Sequence, residues 1–171
     1  MTAERRLTDL GVVLPEPPKP AGLYSPCVRT GALLYVSGQL PAVAGQDLPA
    51  GYCGGGVTVE QGAGHARQCA INALAIVRAE LGSLDGVKRA VRVAGYVASA
   101  PGFTDHPAVV NGASQLLIDV FGEAGRHARI AIGVAELPRG VPVEVEFQFE
   151  VEWQRRRRGF GRSDIAKRLA A

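Results

Sequence analysis

Residues 143–152, VEVEFQFEVE, constrain the fold more than any other stretch of this chain. Val143, Val145, Phe147, Phe149 and Val151 alternate without a break with Glu144, Glu146, Gln148, Glu150 and Glu152. Successive side chains of a strand point to opposite faces, so one face here is apolar and the other acidic. On a helix the same residues would scatter around the cylinder and define no face. The chain therefore builds a sheet with one side that must be covered, and the cover has to come from elsewhere in the sequence.

Two segments have the period for that job. From Thr58, spaced from Gln61 as a capping box, Ala63, Ala66, Ala70, Leu74, Val77 and Leu81 recur every three or four residues until Gly82. A second helix is predicted from Asp105, with Pro107 in its first turn and Val109, Val110, Ala113, Leu117, Val120 and Phe121 on one stripe before Gly122. Residues 87–98 alternate as a strand, and 28–40 read as strand, Thr30-Gly31 turn, strand. The fold class is thus α+β: a mixed or mostly antiparallel sheet with two helices on one face.

Residues 127–136 and 142–152 are predicted to pair as a hairpin through LPRG. If Pro138 and Arg139 are its turn, Arg129 faces Gln148 and shares the helix-free side with Glu144 and Glu146. Ile130, Ile132 and Val134 then join the valine and phenylalanine side. A turn one residue longer or shorter inverts that facing. From the residues alone, Arg129 is either a partner of Glu144 or Glu146 in an ion pair, or a charge kept for a ligand. The small, polar helix-free side suits subunit packing.

Composition narrows the class. The chain has 171 residues, 47% of them hydrophobic, and no 18-residue apolar run, so a cytoplasmic globular domain without a membrane segment is expected. Residues 154–171 hold seven of the 19 Lys and Arg and one of the 16 Asp and Glu, which leaves 12 bases against 15 acids in the body. The basicity belongs to the tail, where Arg155–Arg158 could meet nucleic acid or simply be solvated. Cys27, Cys53 and Cys69 lack metal or disulfide spacing and are expected as reduced thiols. His65, His106 and His127 are expected at the surface or at caps, with no metal site. The Gly-rich loop 41–56 lacks the G-K-[ST] of a phosphate-binding loop. The chain divides into a lead-in, 1–13, a domain, 14–152, and an Arg-rich tail, 153–171.

The stretches GLYSP, LLYVSGQLP, VVNGASQLL, GRHARIAIGVAELPRG and VEVEFQFEV, in this order, resemble the Rid family, also called YjgF or L-PSP proteins. The resemblance covers residues 14–152 and points to a longer, divergent subgroup. It implies a chorismate-mutase-like fold, a homotrimer with sites between subunits, and, for RidA-type members, cofactor-free hydrolysis of 2-imino or enamine acids to 2-keto acids and ammonia. By resemblance Arg129 grips the substrate carboxylate and Glu144 positions the attacking water. Tyr24, Ser37 and Gly38 of the S-G-Q segment, and Asn111 complete the pocket.

The chemistry suits those residue types. A guanidinium is planar and always charged, so it can hold a carboxylate by two parallel hydrogen bonds. An imine carbon is already electrophilic, and needs chiefly a placed water and a proton acceptor. Ile130 and Ala131 stand where RidA-type members usually carry Ser and Cys, which implies a more apolar pocket. The other readings are a trimer that binds a small carboxylate without turning it over, and a nucleic-acid contact through the tail.

Overall fold

The computed structural model describes residues 1–18, 20 and 22–153; the Arg155–Arg158 run lies outside the described residues. In chain order the elements are α1 (Ala3–Asp9), β1 (Cys27–Thr30), β2 (Leu33–Gln39), β3 (Tyr52–Cys53), β4 (Gly56–Val57), α2 (Val59–Leu81), β5 (Val87–Ala98), α3 (His106–Phe121), β6 (Ala128–Val134) and β7 (Val143–Val151). Local signals account for most boundaries. Thr58 and Gln61 close a reciprocal capping box, with bonds of 3.2 and 2.9 Å, and Gly82 ends α2 at φ +82°, a conformation that side chains disfavour. Residues 1–13, read as a lead-in, include α1, whose Leu7 is buried in the core.

Five strands form one sheet in the order β1-β2-β7-β5-β6, and β3 and β4 make a separate short pair. The alternating segment is the central strand. β7 runs antiparallel to both β2 and β5. β6 pairs in parallel with β5, and α3 supplies the crossover that a parallel pair requires. The predicted β6–β7 hairpin is therefore absent, because β5 lies between its two strands. The LPRG connection instead passes over the end of β5, where the Ala98 N–H donates to the Pro142 carbonyl at 3.0 Å. Arg139 takes a left-handed φ of +60° in that turn.

This topology inverts the facing expected for β6. Arg129 is level with Val93, which is level with Phe147, so all three point to the helix side. Ile130 aligns with Ala94 and Glu146, and Ile132 with Tyr96 and Glu144, on the helix-free side. The expectation failed because it took neighbours in sequence as neighbours in the sheet. On β7 itself the alternation reads as predicted: Val143, Val145, Phe147, Phe149 and Val151 are buried, and the acids between them are half-buried.

The two long helices cover the apolar face, as the sequence pattern required. They approach closely at Gly112, where a Cβ would overlap the Ala63 carbonyl oxygen and lie 2.6 Å from its carbon. Among the described residues nothing covers the other face. It carries Val28, Tyr35, Ile130 and Ile132, each at least 39% exposed, beside an Arg92–Glu146 ion pair of 2.9 Å. No helix among the described residues is long and apolar enough to cross a membrane.

Candidate functional site

The expected site residues fall into two groups within one chain. The first gathers around β2 and the start of β7. The Ser37 hydroxyl donates to the Ser25 carbonyl at 2.8 Å, and the Ser37 N–H to the Pro26 carbonyl at 3.0 Å, which ties the GLYSP segment to β2. Tyr24, about half exposed, and Gly38 line a cavity of about 320 Å³ with Gln39, Leu40, Asn72 and Arg139.

Gly38 also lies against Glu144. A Cβ at Gly38 would overlap Glu144 Oε1 and come within 3.0 Å of Cδ, so the absence of a side chain lets the carboxylate lie along β2. Glu144 makes no hydrogen bond or ion pair among the described residues, while Glu146 is engaged by Arg92. Partial burial raises the Glu144 pKa, and the neighbouring Glu146 charge adds to the rise. An unpartnered carboxylate with a raised pKa is the type of group that accepts a proton from water near neutral pH.

The second group lies on the edge strand β6 and on α3. Arg129 Nη1 donates to Asn111 Oδ1 at 2.7 Å and to Ser114 Oγ at 3.1 Å. These two bonds use both Nη1 hydrogens. Nε and Nη2, the side-on fork, have no partner among the described residues and are free for a carboxylate. Asn111 is thus a positioning residue for Arg129, which explains an Asn inside a helix. Arg129 pairs with neither Glu144 nor Glu146, so the ion-pair alternative does not hold.

The two groups cannot meet within one chain. Arg129 and Glu144 point to opposite faces of the sheet, two strands apart and three residues out of level. Strand spacing and rise put their Cα positions about 14 Å apart. Ile130, expected to make the Arg129 pocket more apolar, points to the helix-free face and does not line it. Ala131, half-buried against the core, is the residue that shares the helix side with Arg129.

Sequence reasoning missed Ser114, and it expected His127 only at the surface or at a cap. Ser114 Oγ lies 3.0 Å from His127 Nε2, and His127 Nδ1 lies 2.6 Å from the Gly125 carbonyl. The signal was present: Ser114 follows Asn111 by three, which puts both on one helix face. A Ser99–His106 contact of 3.0 Å lies beside Gly133, toward the far end of the same strand. No three His, Cys, Asp or Glu side chains converge as a metal site among the described residues.

The split βαβ sheet, with a central antiparallel strand and two helices on one face, defines an α+β protein of chorismate-mutase-like type. A family model described as "YjgF/chorismate mutase-like, putative endoribonuclease" matches residues 4–143. The chain belongs to this Rid/YjgF family, as its motifs led us to expect. Protein TCP17 of Trypanosoma cruzi is 45% identical over 146 residues, covering 85% of this chain and 91% of that protein. The crystal structure of Atu1372 from Agrobacterium tumefaciens superposes with a TM-score of 0.80 at 42% identity, covering 88% of this chain and 94% of that one. RidA from a Psychrobacter species gives 0.57 at 28% identity, over 80% and 94% of the two chains.

Proposed function

We propose that this protein hydrolyses small 2-imino (enamine) acids to 2-keto acids and ammonia, at sites formed between the subunits of a homotrimer. The observation that carries this reading is the state of Arg129. Its guanidinium is held by α3 through Nη1 while the Nε and Nη2 fork stays open, the geometry that fixes a carboxylate in one orientation. In a 2-imino acid the reacting carbon is bonded to the carboxylate carbon. The attacking water must then lie within a few ångströms of that anchor, and its base within hydrogen-bond reach of the water.

Glu144 of the same chain is too far away and faces the other side. The reading therefore takes Arg129 and Asn111 from one subunit and Glu144, Gly38, Ser37 and Tyr24 from the next. The uncovered face with Ile130, Ile132, Tyr35 and Val28 supports such packing, since it exposes apolar side chains that a second copy could cover. Glu144, with its raised pKa, takes a proton from the water as the water adds to the protonated imine carbon. Glu144 returns that proton to the carbinolamine nitrogen and takes the hydroxyl proton as the C–N bond breaks, which forms the keto carbonyl and releases ammonia.

The test generates 2-iminopropanoate with a PLP-dependent dehydratase and follows its loss. Wild type should accelerate hydrolysis; Arg129→Ala and Glu144→Gln should not. Co-expressing the two inactive variants should restore about a quarter of the activity, because each site draws the two residues from different subunits. No rate above buffer for wild type would sink the deaminase reading. A wild-type rate with no recovery in mixed trimers would sink the shared site.

A further inference from the structure

The Arg129–Ser114–His127–Gly125 chain can be assigned donor by donor. The Gly125 carbonyl only accepts, so the proton on His127 sits on Nδ1, 2.6 Å away. In a neutral imidazole Nε2 is then bare, and it accepts the Ser114 hydroxyl proton at 3.0 Å. With its proton committed, Ser114 Oγ turns a lone pair to Arg129 Nη1 at 3.1 Å. Reversing any link would set donor against donor or leave a group without its partner. The direction runs from the guanidinium to a fixed backbone carbonyl.

We propose that His127 is the positioning residue of the anion site: neutral, it holds Arg129 in its ligand-receiving pose through Ser114, and protonated, it releases that pose. The proposal rests on Arg129 as the carboxylate anchor. When His127 takes a second proton, Nε2 becomes a donor. The Ser114 hydrogen loses its acceptor, and a second cation stands one hydroxyl away from the guanidinium. Both changes work against the Nη1–Ser114 bond and leave Asn111 to hold the group.

The surroundings keep the latch in its holding state. His127 is faced by Ser114 from α3, by the Gly125 carbonyl from the turn before it, and by the Arg129 charge from β6. Glu123 and Arg126 of that turn pair with each other at 3.0 Å, and Arg92 of β5 is paired with Glu146 on the opposite face. Burial is the largest influence and pushes the imidazole pKa down; the Arg129 charge does the same, against the opposing Gly125 bond. The imidazole therefore keeps its neutral form to lower pH than an unperturbed histidine does.

The sign of the effect separates this latch from plain attraction. A bound carboxylate draws positive charge, so simple electrostatics has 2-keto acids binding tighter as His127 protonates. The latch has them binding weaker, by roughly tenfold for one pK unit of coupling, and binding in turn lowers the His127 titration point by the same factor.

The experiment measures 2-ketobutyrate affinity by calorimetry across the His127 titration for wild type, Ser114→Ala and His127→Gln. It also follows the His127 ring nitrogens and Arg129 Nε by 15N NMR in the ligand-free trimer. Expected are an Nδ1–H tautomer, an Arg129 Nε signal that shifts with His127 titration, weaker binding at acid pH, and loss of that pH dependence in both variants. An Nε2–H tautomer, an Arg129 signal that ignores His127, or tighter binding in acid would overturn it. If 2-ketobutyrate binds at no pH, the carboxylate reading of Arg129 fails, while the NMR titration still decides whether the latch exists.

Discussion

Replacing Gly38 with alanine should separate turnover from stability. The backbone there is not in the left-handed region, so an alanine is sterically permitted by its own φ. Its methyl would overlap Glu144 Oε1 and sit 3.0 Å from Cδ, against the 3.5 Å or more of an unstrained carbon contact. The carboxylate must withdraw by on the order of 1 Å, which costs about 0.5–1.5 kcal/mol of off-rotamer strain. For a domain of this size that lowers Tm by roughly 1–6 °C.

A misplacement of that size at a reacting group costs about 100-fold in rate. Gly38→Ala should therefore fold, lose about two orders of magnitude in kcat on 2-iminopropanoate, and keep its KM, because the Arg129 fork is untouched. The assay is imine consumption beside a thermal melt. Adding Gly38→Ala to Glu144→Gln should cost nothing further, since both act through one carboxylate. A folded Gly38→Ala protein with the wild-type rate would refute the reasoning. A double variant slower than Glu144→Gln would show that Gly38 acts by another route.

Glu144 has a raised pKa in the folded protein, so its ionisation opposes folding: the stability present at acid pH is reduced as pH rises through that pKa. Glu144→Gln should then melt at or above the wild-type temperature at pH 7 while losing turnover, and the wild-type rate should fall on acidification before ordinary carboxylates protonate. Gly112→Ala, which drives α2 and α3 apart at Ala63, should lower Tm by about 2–12 °C through overpacking of about 1–3 kcal/mol, read by calorimetry. Burial raises the thiol pKa of all three cysteines, most strongly that of Cys69, so access separates them. A thiol reagent should label half-exposed Cys27 first in the native state, and mass mapping should find the other two modified only on unfolding.

Much of the fold was legible because its signals are local. The alternation of Val143 to Val151, the Thr58–Gln61 cap and the Gly82 stop each act within a few residues, and each appears where the pattern put it. Strand order is not local. Nothing between Val134 and Val143 announces that β5 will lie between them, and the wrong pairing carried Arg129 to the wrong face. The candidate residues could be named one by one from the family motifs, but their split into two groups depends on that same long-range order. Ser114 carries no sequence signal of its own and His127 reads as a surface or capping histidine, because hydroxyls and lone histidines are common and a directional chain shows only when donors and acceptors are placed in space.

The position of β7 has a consequence for synthesis. Among the described residues it is the last strand in chain order, and it occupies the middle of the sheet, between β2 and β5. Until residues 143–151 leave the ribosome, β2 and β5 each present an unpaired edge next to an apolar helix face, and no intermediate sheet can close around them. Folding of this domain is thus gated by translation of its final strand, and a nascent chain stalled short of Val143 is the species most in need of a holding chaperone.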